Sequence, residues 1–363
     1  MNPSIICSQL YIRADGNEEI ASGHLMRCLT IARAYRALTE TDRPQYPLPV
    51  FLVSDPGSEA MLRARFQYED EFPVTVLHSD YTDPESELTA LCDMLSSGEN
   101  TCLLVDSYYI TPAYFDRLRR CTYLAYIDDL AAFDYPVDLL INYDPDPDTS
   151  LFESAGDVIA GLSYAPIRAD FANHESCPPI SDRIEHILVL SGGIGYGSSE
   201  ALYALTKSLS DLTNAKIHVV TGQNRDLIER LSAQAACDPS FSVDMHEYLP
   251  NLPAFLKTTD LVVSAAGTTL YEVCAMGIPA ISFTVADNQM TAAMGFEDIG
   301  LIPHFGDLRV NNTTERITRS LMPLLKKLRS RSAREEMRAT MRNAVDGKGA
   351  DRIALALKKL MTA

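Results

Sequence analysis

The chain has 363 residues, 46% hydrophobic and 22% charged, with a formal net charge of −18; that is room for about two soluble globular domains. A charge of that sign and size argues against nucleic acid or an anionic membrane as partner, because both demand a basic face. No run approaches the ~18 apolar residues of a membrane helix and no basic-then-apolar leader opens the chain, so a cytoplasmic location is expected. The eight cysteines are scattered without a C-x-x-C pair, which favours buried free thiols over a zinc or dithiol site.

In chain order, "IRADGNEEIASGHLMRCLTIARAYRAL" (12–38) reads as a strand end, a loop and a helix beginning near Gly23. Leu25, Cys28, Leu29, Ala32 and Tyr35 recur at helical spacing. Buried strands are predicted at 49–54, 74–78, 102–107, 123–128 and 138–142, with helical spacing over 85–97 and 112–120. That alternation implies a parallel sheet with right-handed crossovers. After the proline-bearing stretch "NHESCPPISDRIE" (173–185) it restarts with "HILVLSGG", "KIHVVTG", "DLVVSAAG" and "AISFTV", and the tail carries two helical patterns around "DGKGA". The expected organisation is an N-terminal α/β domain over 1–173 and a second over 184–345. A terminal helix is expected in 346–363. Open α/β sheets bind ligands at the carboxyl ends of their strands, so two such domains facing a cleft would carry their chemistry there.

His24 sits in the first turn of the predicted helix, with Gly23 beside it and Arg27 three residues on. The positive end of the helix disfavours an imidazolium, and a nearby arginine pushes the same way. A neutral imidazole could take a proton from water; the alternative is a histidine merely packed at a helix end. Asp128 and Asp129 close a strand and could orient a water or hold a metal, but a cap and a solvated residue suffice. "HILVLSGGIGYGSSEAL" (186–202) is a strand, glycine-rich turn and helix start. It fails G-x-G-x-x-G at Ile194 and lacks the P-loop lysine. In "DLVVSAAGTTLYEVCAMGIPAISFTVADNQ" (260–289) a strand ends in small residues, and Thr268 and Thr269 open a short helix closed by Gly277. Such an N-terminus suits a diphosphate. Glu272, one turn in, could accept ribose hydroxyls, or could complete a capping box with Thr269. Asp287 or Asn288 could cap the next helix; alternatively Asn288 and Gln289 bond sugar hydroxyls or N-acetyl groups. No histidine, cysteine and acidic cluster has metal-ligand spacing, and no G-x-S-x-G elbow occurs.

Together "RADGNEEIASGHLMRCLTIA", "VDSYYI" (105–110), "IDDLA" (127–131), "GLSYAPIRADF" (161–171), "SAAGTTLYEVCAMGIPAI" (264–281), "DNQ" (287–289) and "VDGKGADRI" (345–353) resemble, in order, a known family. It is the UDP-2,4-diacetamido-2,4,6-trideoxy-β-L-altropyranose hydrolases of pseudaminic acid biosynthesis, relatives of the GT-B glycosyltransferase that adds N-acetylglucosamine in peptidoglycan synthesis. The resemblance implies a GT-B-like α/β fold of two Rossmann-like parallel-sheet domains facing a cleft, with the 346–363 helix packing back on the first, and an enzyme with a UDP-sugar substrate, no cofactor and no metal; a cytoplasmic monomer is expected. It implies His24 as the base activating water for attack at the anomeric carbon with inversion. Arg13, Asp15, Gly23, Arg27 and Tyr108 would surround the reacting sugar, with Asn288 and Gln289 on its substituents. Gly192, Gly193, Ala266, Gly267, Thr268 and Thr269 would hold the diphosphate and Glu272 the ribose. The family's usual acidic residue after the paired glycines is replaced by Ile194 and Gly195. The alternatives are a GT-B glycosyltransferase, which would pass the sugar to an acceptor hydroxyl, and a non-catalytic nucleotide-sugar binding module.

Overall fold

The computed structural model describes residues 8–17, 19–42, 45–96, 100–172, 177–192 and 198–362. The chain divides into two compact units, one of Met1–Ile167 with Lys348–Ala363, the other of Arg168–Gly347. Residues 168–172, read with the first domain from the sequence, therefore group with the second unit.

The first unit holds β1 (Ser8–Ala14), α1 (Gly23–Leu38), β2 (Val50–Val53), α2 (Pro56–Arg63), β3 (Val74–Val76), α3 (Leu88–Leu95), β4 (Asn100–Asp106), α4 (Pro112–Leu118), β5 (Tyr123–Ile127), β6 (Leu139–Asn142) and β7 (Asp157–Ala160). All seven strands are parallel, in the order β3-β2-β1-β4-β5-β6-β7. The chain leaves β1 towards one edge and returns to β4 on its other side, so the order reverses between β1 and β4. That reversal opens a crevice at the carboxyl ends of those two strands. Their register puts Ala14 opposite Asp106, so the residues that follow β1 meet the end of β4.

Local chemistry sets the helix starts. Asp55 accepts from the backbone N–H groups of Gly57 and Ser58 ahead of Pro56 at the first helical position of α2, and Thr111 accepts from Tyr114 N–H ahead of Pro112 in α4. α1 is buried on most of its circumference, including Leu25, Cys28, Leu29, Ile31, Ala32 and Tyr35. Beyond its sheet contacts, it packs against the terminal helix of the chain. The fold core of this unit gathers Leu103, Val105, Tyr114, Phe115, Tyr126 and Leu140.

The second unit holds α5 (Ala169–Ala172), β8 (His186–Leu190), α6 (Ser199–Leu212), β9 (Lys216–Val220), α7 (Arg225–Cys237), β10 (Val243–His246), α8 (Leu252–Leu256), β11 (Leu261–Ala265), α9 (Thr268–Met276), β12 (Ala280–Thr284), α10 (Met290–Asp298), β13 (His304–Asp307), α11 (Thr314–Leu328) and α12 (Arg331–Ala344). Its six parallel strands run β10-β9-β8-β11-β12-β13, with the reversal between β8 and β11. α9 ends at Gly277 in the left-handed region (φ 66°), where a side chain is disfavoured. The last helix, α13 (Gly349–Leu360), belongs to the first unit. It buries Ile353, Ala354 and Leu357, and its start lies so close to the Leu162–Tyr164 turn that a Cβ on Gly349 would stand 2.1 Å from the Ala165 carbonyl oxygen.

Candidate active site

His24 occupies the first turn of α1, which opens at Gly23 behind Ser22 with no side-chain cap. Its Nδ1 lies 2.6 Å from Oδ1 of Asp106, the last residue of β4. Arg27 grips the same carboxylate twice, through Nε to Oδ2 at 2.6 Å and Nη2 to Oδ1 at 2.5 Å. Burial alone would push the Asp106 carboxyl up; the charges and hydrogen bonds of Arg27 and His24 outweigh it and hold it well below the usual carboxylate range. An ionised Asp106 accepts only, so Nδ1 carries the proton in that bond. The 3.2 Å approach of Arg27 Nη2 to Nδ1 is then a contact between donors rather than a bond. Nε2 is the ring nitrogen left for chemistry.

This differs from the arrangement read from the sequence, where Arg27 acted on His24 as a repelling charge. Arg27 instead spends its charge on Asp106, Asp129 (2.9 Å) and the Tyr143 hydroxyl (2.6 Å). Tyr108 donates to Asp129 at 3.1 Å and sets its ring edge-on to His24, centroids 4.5 Å apart. The acidic pair thus splits. Asp129 joins the histidine network, whereas fully buried Asp128 accepts from the Leu130 and Ala131 N–H groups and the Tyr135 hydroxyl to fix a turn.

A small pocket, open to solvent, lies beside the ring, lined by Asp15, Ile20, His24, Tyr81, Asp106, Ser107, Tyr108 and Tyr109. Its free space is about that of a single water, which suits a water or one small substituent. Gly23 would carry a Cβ into open space, with nothing within 4 Å. Arg13 departs from its expected place: it is buried on β1, donating to both oxygens of Glu87 (2.7 and 2.9 Å) and to Asp15 (2.5 Å). It fixes Asp15, whose other oxygen accepts from the Ser54 N–H at 2.7 Å, and does not line the pocket.

In the second unit, the ends of β8 and β11 flank the strand reversal. Gly192 follows β8 with φ 90°, where a Cβ would meet Ala265 at 3.5 Å. Ala266 is buried, Gly267 precedes α9 with nothing within 4 Å of a built Cβ, Thr268 is exposed and Thr269 is half-buried. Gly193 and the Ile194–Gly195 replacement lie outside the described residues. The capping box does not form, because α9 is preceded by Gly267 and has no side-chain cap. Glu272 instead receives Arg168 on both oxygens, at 2.5 and 2.9 Å. A ribose would have to share that carboxylate. Neither Asp287 nor Asn288 caps α10, whose start at Gln289 has no side-chain cap. Gln289 is buried, its carbonyl accepting the Val285 N–H at 2.9 Å with its amide nitrogen towards Gly192; Asn288 is exposed.

Sequence reasoning passed over Asp106, Tyr143, Glu87 and Arg168. Asp106 and Tyr143 share a signal: each is a polar residue at or just after the carboxyl end of an apolar strand run, in "LLVD" and "LLINY". Glu87 and Arg168 carry no such mark.

No helix among the described residues is long and apolar enough to cross a membrane. Two curated relatives are UDP-N-acetylglucosamine–N-acetylmuramyl-(pentapeptide) pyrophosphoryl-undecaprenol N-acetylglucosamine transferases. The one from Leuconostoc mesenteroides is 28% identical over 130 residues, 33% of this chain and 34% of the relative. The one from Alkaliphilus metalliredigens is 32% identical over 123 residues, 32% and 33%. The chain thus matches about a third of the length of these relatives. Among solved structures, Acinetobacter baumannii MurG superposes with a TM-score of 0.69 at 15% identity over 97% of this chain and 99% of that one. A UDP-glucosyltransferase from Polygonum tinctorium gives 0.69 at 13% identity over 99% and 100%. These likenesses establish a GT-B-like fold of two Rossmann-like parallel-sheet domains, and residues 187–351 match the glycosyltransferase family 28 C-terminal domain.

Proposed function

We propose that this chain cleaves a UDP-linked sugar at its anomeric carbon, with His24 as general base on an attacking hydroxyl. The observation that carries the reading is the 2.6 Å bond between His24 Nδ1 and the buried Asp106 carboxylate at a small pocket. Asp106 fixes the tautomer and stabilises the imidazolium that forms, leaving Nε2 to take the hydroxyl proton. The oxygen then bonds to the anomeric carbon as the sugar C–O bond breaks, UDP leaves with the bond electrons, and a single displacement inverts the centre. Tyr108 and Asp15 line the hydroxyl's pocket, and Gly23 leaves room for the sugar beside the helix start.

The reading assigns UDP to the second unit. The first turn of α9, with Gly267, Thr268 and Thr269, offers backbone N–H groups and hydroxyls for the diphosphate. Gly192 and Ala266 keep the strand ends low enough for close approach. Glu272 would take the ribose hydroxyls in the lone pairs that Arg168 leaves, and Asn288 with the Gln289 amide would take the sugar's substituents.

Two acceptors fit this chemistry. The family match at 187–351 and the activity in the relatives' names support transfer to a glycosyl acceptor, and they favour it over hydrolysis. Water, and with it hydrolysis of UDP-2,4-diacetamido-2,4,6-trideoxy-β-L-altropyranose, is supported by the ordered sequence blocks of the first unit and by the small pocket at His24. A non-catalytic binding module gives no role to a buried histidine hydrogen-bonded to a buried carboxylate.

The test is incubation with a panel of UDP-sugars in ¹⁸O-water, with and without saccharide acceptors. UDP release that needs an acceptor marks a transferase; acceptor-free release with label in the sugar marks a hydrolase. Label in UDP would mean attack at phosphorus and overturn the assignment.

A further inference from the structure

Three neighbouring strands of the second unit each contribute a histidine. His186 opens β8, His218 lies within β9 and His246 closes β10. The alternation of side chains along a strand puts Lys216 and His218 on one face of β9, and Asp244 and His246 on one face of β10. Parallel pairing sets Asp244 opposite His218, so the two elements present His218, Asp244 and His246 as neighbours on one face. His218 Nδ1 lies 3.3 Å from His246 Nε2 and 3.8 Å from Asp244 Oδ2. All three ligand atoms fall within 4.8 Å of one another.

We propose that His218, Asp244 and His246 form a site for a divalent transition metal of the zinc class. With metal–ligand bonds of about 2.0–2.1 Å, tetrahedral ligand atoms stand about 3.3 Å apart, which is close to the 3.3 and 3.8 Å that separate His218 Nδ1 from His246 and Asp244. A water would fill the fourth position. The outer contact is already built: the other nitrogen of His218, Nε2, stands 3.1 Å from His186 Nδ1. With Nδ1 on the metal, Nε2–H donates to His186, the arrangement that fixes a ligating imidazole's tautomer and orientation. Phe255 on α8 packs edge-on against both His218 and His246, at 5.1 and 5.3 Å, and dries one side. The Asp244 side chain, 44% exposed, leaves a way in. Lys216 Nζ lies 2.7 Å from Asp244 Oδ2 and is the cation a metal must displace. The site clips the edge strand β10 to β9.

The experiment titrates the full chain, freed of metal by a chelator, with Zn²⁺ by calorimetry and with Co²⁺ by visible absorption. One Zn²⁺ per chain, a Zn²⁺-dependent rise in melting temperature and the intense ligand-field bands of four-coordinate Co²⁺ are expected. His246→Ala should weaken Zn²⁺ binding more than about tenfold. His186→Ala, which removes only the outer partner, should weaken it by about 10–100-fold. Lys216→Gln should tighten it. No stoichiometric uptake by the wild-type chain would overturn the site, as would uptake that His246→Ala and Asp244→Asn both leave unchanged.

Discussion

At the scale of single residues, the proposed chemistry depends on one carboxylate that the Arg27 guanidinium and the His24 imidazole share. Replacing His24 by alanine removes the base but leaves the Arg27–Asp106 ion pair. Turnover should fall by about 10²–10⁴-fold with the melting temperature nearly unchanged, measured by UDP release and calorimetry on the same preparation. Arg27→Ala strands Asp106 in the interior, and breaking a buried pair costs about 3–5 kcal/mol, so stability and turnover should both drop. The pH dependence follows from the same group. Asp106's folded pKa lies below its unfolded value of about 3.9, so its contribution is complete above that value and is lost as pH falls towards the folded pKa. Urea unfolding between pH 7 and 3 should therefore show stability dropping steeply below about pH 4, and Asp106→Asn should flatten that slope. An unchanged slope in the variant would remove Asp106 from the account.

At the scale of elements, two glycines at helix starts separate a functional from a structural requirement. At Gly23 a Cβ meets nothing within 4 Å, so Gly23→Ala should leave the melting temperature in place. If the sugar approaches the α1 terminus as proposed, the same change should raise KM. At Gly349 a Cβ would stand 2.1 Å from a backbone oxygen, and backbone cannot yield cheaply; Gly349→Ala should unseat α13 and lower the melting temperature by several degrees. Thermal melts of the two variants side by side check both. Interior strands and helices were legible from local pattern: α1 begins at the residue its spacing gives, and α9 ends at Gly277. The strands that pattern passed over are β7, β10 and β13, each at an edge of its sheet. An edge strand is covered less fully than a central one and need not be a continuous apolar run.

For the whole molecule, the second visit of the chain to the first unit has a measurable consequence. Ile353, Ala354 and Leu357 of α13 are fully buried, in a helix that packs on α1, the element carrying His24. A chain ending at residue 347 should expose that apolar face, lose the first unit's melting transition and become susceptible to proteolysis within residues 8–167. Limited proteolysis with mass spectrometry reads this directly. A first unit that melts normally after the truncation would show that α13 is dispensable.

The sequence by itself determined the alternation of strands and helices, and with it a pair of parallel α/β sheets whose strand ends carry the polar chemistry. These are consequences of local periodicity and of the few residues able to start or stop a helix. It also marked His24, Asp15 and Tyr108, which the structure brings to one pocket. Tertiary structure alone decided the partners. Asp106 is 82 positions from His24 and reaches it because β1 and β4 pair in register. Arg168 is 104 positions from the Glu272 it engages, and the three histidines of the second sheet lie 32 and 28 positions apart. Spacing along the chain records which face of an element a residue occupies; which elements become neighbours is settled by sheet order and register, and that is where charges find each other.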